Sequence, residues 1–280
     1  MGYEITLLTT MGISVIFALG LNIVAGFCGQ VSLGHAAFYG IGAYTAAMMT
    51  KAGVPFLLVL APAMLLAGAV GIVVGLASLR VRHDFLAITT MGVGFLFIGI
   101  VREIDWVGGE MGLSGIPSSG MGKMGFMLFV LALAVATAVL SYLLRRSWMG
   151  FTFDAIADDE DTAEILGIDV SRFKLAAFAI GTAVSGVAGA LYAHHVRFID
   201  PNSFGFVESV TVLAMVVVGG IGSIGGVAAA AAVMSIMPLL FQVIDDYKLL
   251  VYGLLLFAMM RLCPDGIAGL VKRLWRGRRA

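Results

Sequence analysis

Several spacings of glycine, lysine, histidine and cysteine in this chain are ones that can support chemistry. The run GGIGSIGG at 219–226 contains Gly220-x-Gly222-x-x-Gly225, the pattern of a turn that cradles a dinucleotide pyrophosphate. That use needs a βαβ unit around the turn, whereas these glycines lie in a membrane-length apolar run. They read instead as a break between two short helices, with a tight turn near the cytoplasmic face. Gly122-Lys123 hints at a phosphate-binding loop, but Met124 replaces the required Ser or Thr and Pro117 stands where the first glycine belongs. The chain is therefore expected to carry no ATPase site of its own. His194 and His195 are adjacent, so on a helix they diverge and make a poor metal pair; surface histidines at a span end are expected. Cys28 and Cys263 match no metal or redox spacing and are expected to pack. No metal, cofactor or catalytic residue is expected.

Two polar groupings remain. His35 lies in GQVSLGHAAFYGIGAY, inside an apolar segment, with Asn22, Gln30, Ser32, Tyr39 and Tyr44 near it in sequence, and Glu208 stands at the entrance of another segment. Polar groups in lipid must find partners. These seven either hydrogen-bond between helices or line a solute path, and they are the candidate path residues. The other grouping is Ser147 to Lys174, SWMGFTFDAIADDEDTAEILGIDVSRFK, which holds seven of the 17 acidic residues and is bracketed by Arg145, Arg146, Arg172 and Lys174. Asp161 to Gly167 reads as a short helix with Ala163 and Leu166 on one side, Asp161 and Glu164 more exposed, and Gly167 as C-cap. It is either an ordinary solvated loop or a docking knob for a soluble partner.

The elements that must position these groups follow from composition. Of 280 residues 60% are hydrophobic and 12% charged, about half the charge of a soluble domain, so a water-soluble fold is excluded. The expected fold is all-α, a polytopic bundle forming one transmembrane domain over 1–280. Nine apolar segments of helical length are marked at 5–25, 30–50, 55–79, 85–101, 124–144, 175–193, 207–219, 227–241 and 248–262. The second, or the seventh and eighth together, could be re-entrant. Strands of alternating pattern are absent, which disfavours a barrel. With the N-terminus outside, the regions 80–84, 145–174 and the tail from Arg261 face the cytoplasm and hold twelve of the 17 Lys and Arg residues, as the positive-inside rule requires. The first segment, with Glu4 and no basic residue before it, reads as a span and not a cleaved signal. No Asp, Glu, Lys or Arg falls mid-segment, which weakens ion-coupled transport. Small residues recur every fourth position at Gly181, Ser185 and Gly189, and at Ala67, Gly71 and Gly75, as in close helix packing.

Three stretches carry a family resemblance. LNIVAGFCGQVSLGHAAFYGIGAYTAA (21–47), MGLSGIPS (111–118), and the region from SWMGFTFDAIADDEDTAEILGID through KLAAFAIGTAVSGVAGALYA to DPNSFGFVESVTVLAMVVVGGIGSIGG (147–226) resemble permease subunits of branched-chain amino acid ABC importers, in that family's order. The 111–118 motif favours the M-type permease of the pair. Where the family commonly has arginines in the 147–174 loop, this chain has Phe151, Asp154 and Ala157, and it looks shorter than many relatives at its N-terminus.

The resemblance implies a non-enzymatic translocation subunit in a bacterial inner membrane, with its C-terminus cytoplasmic. Its implied partners are a second permease, two cytoplasmic ATPases and a periplasmic binding protein. Ala155 to Gly167 is then the coupling helix, with Ala155, Ile156, Asp158, Asp159, Glu160, Ala163, Glu164, Leu166 and Gly167 as the ATPase-coupling residues. Leucine, isoleucine and valine fit the resemblance best, and urea or short amides are the alternative within the same family. A secondary transporter or a passive channel are the readings outside it.

Overall fold

In a bilayer every backbone polar group must be paired within the protein, and these apolar runs meet that demand as helices. The computed structural model describes residues 2–79, 86–240, 247–262, 266, 267 and 269. The basic segment 80–84, most of the tail after Leu262, and Cys263 lie outside the described residues. In chain order the helices are α1 (Gly2–Leu21), α2 (His35–Lys51), α3 (Phe56–Leu79), α4 (Leu86–Glu103), α5 (Gly122–Arg146), α6 (Trp148–Asp158), α7 (Glu160–Ile165), α8 (Val170–Val196), α9 (Phe206–Gly219), α10 (Ile224–Leu240) and α11 (Lys248–Leu262). A two-residue antiparallel ladder between Leu113–Ser114 (β1) and Phe198–Ile199 (β2) is a small exception to the all-α expectation.

Each of the nine apolar segments, expected as spans or re-entrant segments, holds a helix, and six of these are of spanning length. Among the described residues, six helices are long and apolar enough to cross a membrane: Gly2–Phe27, Phe56–Ser78, Leu86–Glu103, Gly122–Arg146, Val170–Val196 and Pro201–Gly219. Segment two gives a helix of 17 residues, short of a ~30 Å hydrocarbon core at 1.5 Å per residue, and the described helices of segments eight and nine have 17 and 15 residues.

α8 is the centre of the bundle and packs against α1, α2 and α3. Its small-residue row makes that closeness possible. A Cβ at Gly189 would meet the Tyr39 carbonyl and, at 2.9 Å, the Ala43 nitrogen, so α2 and α8 touch backbone to backbone. The row thus serves packing within the chain. The outer faces of α3, α4 and α5 instead expose large side chains such as Leu65, Val73, Leu96, Ile100, Leu128 and Val135, as a lipid-facing surface does.

α1 does not end cleanly. Asn22–Phe27 continues it as a π-helical turn, and residues 28–34 then run without helix or strand to the start of α2. Irregular backbone at membrane depth persists only where protein covers it. Here Asn22, Ile23, Val24, Phe27, Cys28, Gln30 and Ser32 are all buried, and the Gln30 N–H donates to the Val24 carbonyl at 3.1 Å.

Candidate functional site

The 147–174 segment is built by three successive caps. Ser147 starts α6, its Oγ accepting from the Gly150 N–H at 3.4 Å. Asp159 takes an extended backbone that stops α6, and its Oδ1 accepts from the Thr162 N–H at 2.9 Å to start α7. That bond holds the exposed Asp159 carboxyl below the usual carboxylate range. α7 ends in a Schellman motif: the Gly167 N–H donates to Glu164 O at 2.9 Å, the Ile168 N–H to Ala163 O at 3.1 Å, and Gly167 has φ +86°. The expected C-cap at Gly167 is therefore present. The expected single coupling helix over 155–167 is corrected: Asp159 divides it, because its side chain caps forward and its own backbone leaves the helical region.

Burial sorts the nine candidate coupling residues into two sets. Ile156 and Ala163 lie inside, in one cluster with Phe153, Ile23, Phe27, Cys28 and Ala177, so the loop is clamped onto the π-helical turn of α1. Ala155 is half-buried, and Glu160 forms an ion pair with Lys174, whose own carbonyl accepts from Gln30 Nε2 at 3.0 Å. Asp158, Asp159, Glu164, Leu166 and Gly167 are exposed. Leu166 does not share a side with Ala163 as expected: Ala163 is 1% exposed and Leu166 75%, beside Ile165 at 85%. The outward face is therefore two large apolar side chains ringed by carboxylates.

The seven candidate path residues separate as well. Asn22 Oδ1 accepts from the Gly222 N–H at 3.0 Å, Gln30 holds the Lys174 carbonyl, and His35 Nε2 lies 2.6 Å from Ser185 Oγ. These make the interhelical bonds that were the other reading of the polar cluster. Ser32 is buried, and Tyr44 packs edge-on against Phe97 and Phe204. Tyr39 and Glu208 line a cavity of about 430 Å³ between α1, α8, α9, α10 and α11. It opens at the end of α8 away from the 147–174 segment, and its walls add Thr10, Tyr192 and Met215. Sequence reasoning missed those three, although Thr6 and Thr10 at i and i+4 on α1 were a legible polar stripe.

The histidine expectation is corrected. His194 is buried, with Nε2 2.9 Å from Thr50 Oγ1 and Nδ1 2.8 Å from Ala190 O, and His195 is half-buried against Thr10 Oγ1 at 3.3 Å. Phe56 of α3 lies edge-on to the His194 ring at 4.7 Å between centroids, and Phe126 of α5 is parallel to the His195 ring at 6.4 Å, so neighbouring helices cover the two side chains. The 219–226 glycines form the expected turn between two helices, with positive φ at Gly220 and Gly222. Among the described residues no group of three His, Cys, Asp or Glu side chains is placed to hold a metal ion.

The fold is a helical membrane bundle with an exposed capped knob at one end and a polar cavity at the other. Over residues 4–260 the chain belongs to the family described as branched-chain amino acid transport system / permease component. It is 33% identical to the high-affinity branched-chain amino acid transport system permease protein LivM of Escherichia coli K12, an alignment covering 91% of this chain and 67% of that protein. To LivM of Salmonella typhimurium it is also 33% identical, over 94% and 69%. To LivH of E. coli K12 it is 28% identical, over 91% and 90%, so it is more similar to these M-type permeases than to the H-type one. No solved structure matches the chain. It is a multi-pass membrane permease component.

Proposed function

We propose that this chain is the translocation subunit of an ATP-driven importer that moves leucine, isoleucine, valine or a related small solute delivered by an extracytoplasmic binding protein. The observation that carries this reading is the α6–α7 knob. Its inner face, Phe153, Ile156 and Ala163, is locked onto the π-helical turn of α1, while Ile165, Leu166 and Glu164 face outward. Movement imposed on that outer face passes directly into the bundle, because packed cores shift between discrete arrangements and do not deform smoothly. The knob serves as the coupling element for two cytoplasmic ATPases, and a second permease subunit completes the pore. This orientation puts the 147–174 segment and the C-terminus in the cytoplasm and the N-terminus outside, in a bacterial inner membrane. The substrate path includes the Tyr39 and Glu208 chamber, whose carboxylate, aromatic rings and methionine wall suit a small amine with an apolar side chain. Hydrolysis of ATP takes place on the partners, and this subunit performs no covalent chemistry.

The test is uptake of radiolabelled leucine by cells carrying the chain together with the ATPases, second permease and binding protein proposed as its partners. Uptake should survive collapse of the ion gradients and stop on ATP depletion. The opposite dependence would assign a secondary transporter, and flux through the chain reconstituted alone would assign a channel. Uptake of urea or acetamide in place of leucine would move the substrate to the amide branch.

A further inference from the structure

A second cavity, of about 610 Å³, lies beside the Glu208 chamber at the same end of the bundle and shares Thr6, His195 and Val196 with it. It is framed by the N-terminal half of α1, the 118–123 segment that leads into α5, and the C-terminal end of α8. Its charged lining is of one sign. Lys123 and Arg197 face it, Thr9, Ser118 and Ser119 add hydroxyl groups, and none of its lining residues is acidic.

Neither Lys123 nor Arg197 forms an ion pair among the described residues, although the chain as a whole carries 17 basic and 17 acidic residues. Arg197 is also the one non-glycine residue among those described with a positive φ, +61°. This left-handed position ends α8 at the rim of the cavity, with the Arg197 N–H donating to Ala193 O at 2.9 Å. The Thr9 hydroxyl donates to the Ile5 carbonyl at 2.7 Å, so the donors left for a ligand are the two cations and the Ser118 and Ser119 hydroxyls; around a volume lined by no acid they form a site for an oxyanion.

We propose that this cavity binds the carboxylate of a small solute, with Lys123 and Arg197 as its cationic partners, before the solute enters the Glu208 chamber. The neighbouring chambers then carry opposite charges, which favours an amphoteric solute over urea or a neutral amide. The biological sense of this assignment rests on the permease reading, but its test does not, because binding is read without partners or ATP.

The experiment uses the full chain in phosphatidylcholine nanodiscs, titrated with isovalerate and with isovaleramide, its neutral isostere, by saturation-transfer NMR. Isovalerate should bind about five- to tenfold more tightly, the range for two partly solvated ion pairs. The preference should vanish in the Lys123→Gln, Arg197→Gln double variant and return in Lys123→Arg. Size-exclusion elution reports whether each variant is folded, and wild-type discrimination stands without any variant. Equal binding of the two probes by the wild type overturns the site, as does a folded double variant that keeps the preference. A third arm uses phosphatidylglycerol nanodiscs: unchanged isovalerate binding supports a solute site, and its loss assigns the cations to a lipid phosphate and overturns the proposal.

Discussion

Asn22 and Gly222, 200 positions apart, meet through one hydrogen bond: the Asn22 side-chain oxygen accepts from the Gly222 N–H at 3.0 Å. The same glycine is held from its other side, where its carbonyl accepts from Arg145, whose guanidinium lies 5.7 Å from the centre of the Phe27 ring. The turn between α9 and α10 is thus pinned to the π-helical turn of α1 and to the last turn of α5, two of the places where the α6–α7 knob joins the bundle. Gly26 leaves room for this, since a Cβ there would meet the Asn22 side chain and, at 2.6 Å, the Gly222 nitrogen.

Asn22→Ala is expected to leave the Gly222 N–H buried and unpaired, lowering stability by about 1–3 kcal/mol. Gly26→Ala should lose most of the same energy, because it forces the same two groups apart. A double-mutant cycle in detergent-titration unfolding, followed by circular dichroism, checks this. Fully additive losses would show that the two residues do not share the contact.

The knob has an inside and an outside that mutations should separate. Phe153 is fully buried, so Phe153→Ala should cost about 3–5 kcal/mol and reduce the amount of inserted protein. Leu166→Asp and Glu164→Lys lie on the outward face and should leave stability within about 0.5 kcal/mol, while abolishing co-purification of the ATPases. Glu160→Lys is a poorer probe of docking, because it sets two ammonium groups together at Lys174.

Asp159 gives α7 a pH dependence of known sign. Its folded pKa is depressed because the ionised carboxylate accepts from the Thr162 N–H. Its contribution is therefore complete above the unfolded carboxyl range, near 3.9, and is lost as pH falls through the lower folded value. Hydrogen exchange at Ala163 and Glu164 should be flat, after correction for intrinsic rates, from pH 7 to about 5 and accelerate below about 4. Asp159→Asn keeps a capping side chain and should remove the acid step without melting the helix.

Two glycines should respond oppositely to the same change. Gly189→Ala drives a methyl into the α2 backbone and should destabilise by about 1–3 kcal/mol. Gly92→Ala on α4 meets nothing within 4 Å and should be neutral or stabilising, by up to about 1 kcal/mol. Thermal aggregation midpoints of the purified chain distinguish the two.

The membrane class, the nine apolar helices, the cap at Gly167 and the family were all legible in the residues, because each rests on local composition, spacing or motif. A charge content of 12% excludes a soluble surface whatever the chain does next, and a glycine after Leu166 stops a helix by its own backbone freedom. What only the tertiary structure decided is which polar residue meets which partner. In sequence Asn22, Gln30 and His35 could bond between helices or line a path, and the structure gives one polar atom of each a distant partner, at Gly222, Lys174 and Ser185. The chambers at the far end of α8 gather side chains from α1, the 118–123 segment, α8 and α9, so no single stretch could reveal them. Helical propensity and hydropathy act over a few residues, whereas a buried polar group is satisfied by whichever partner folding brings within about 3 Å.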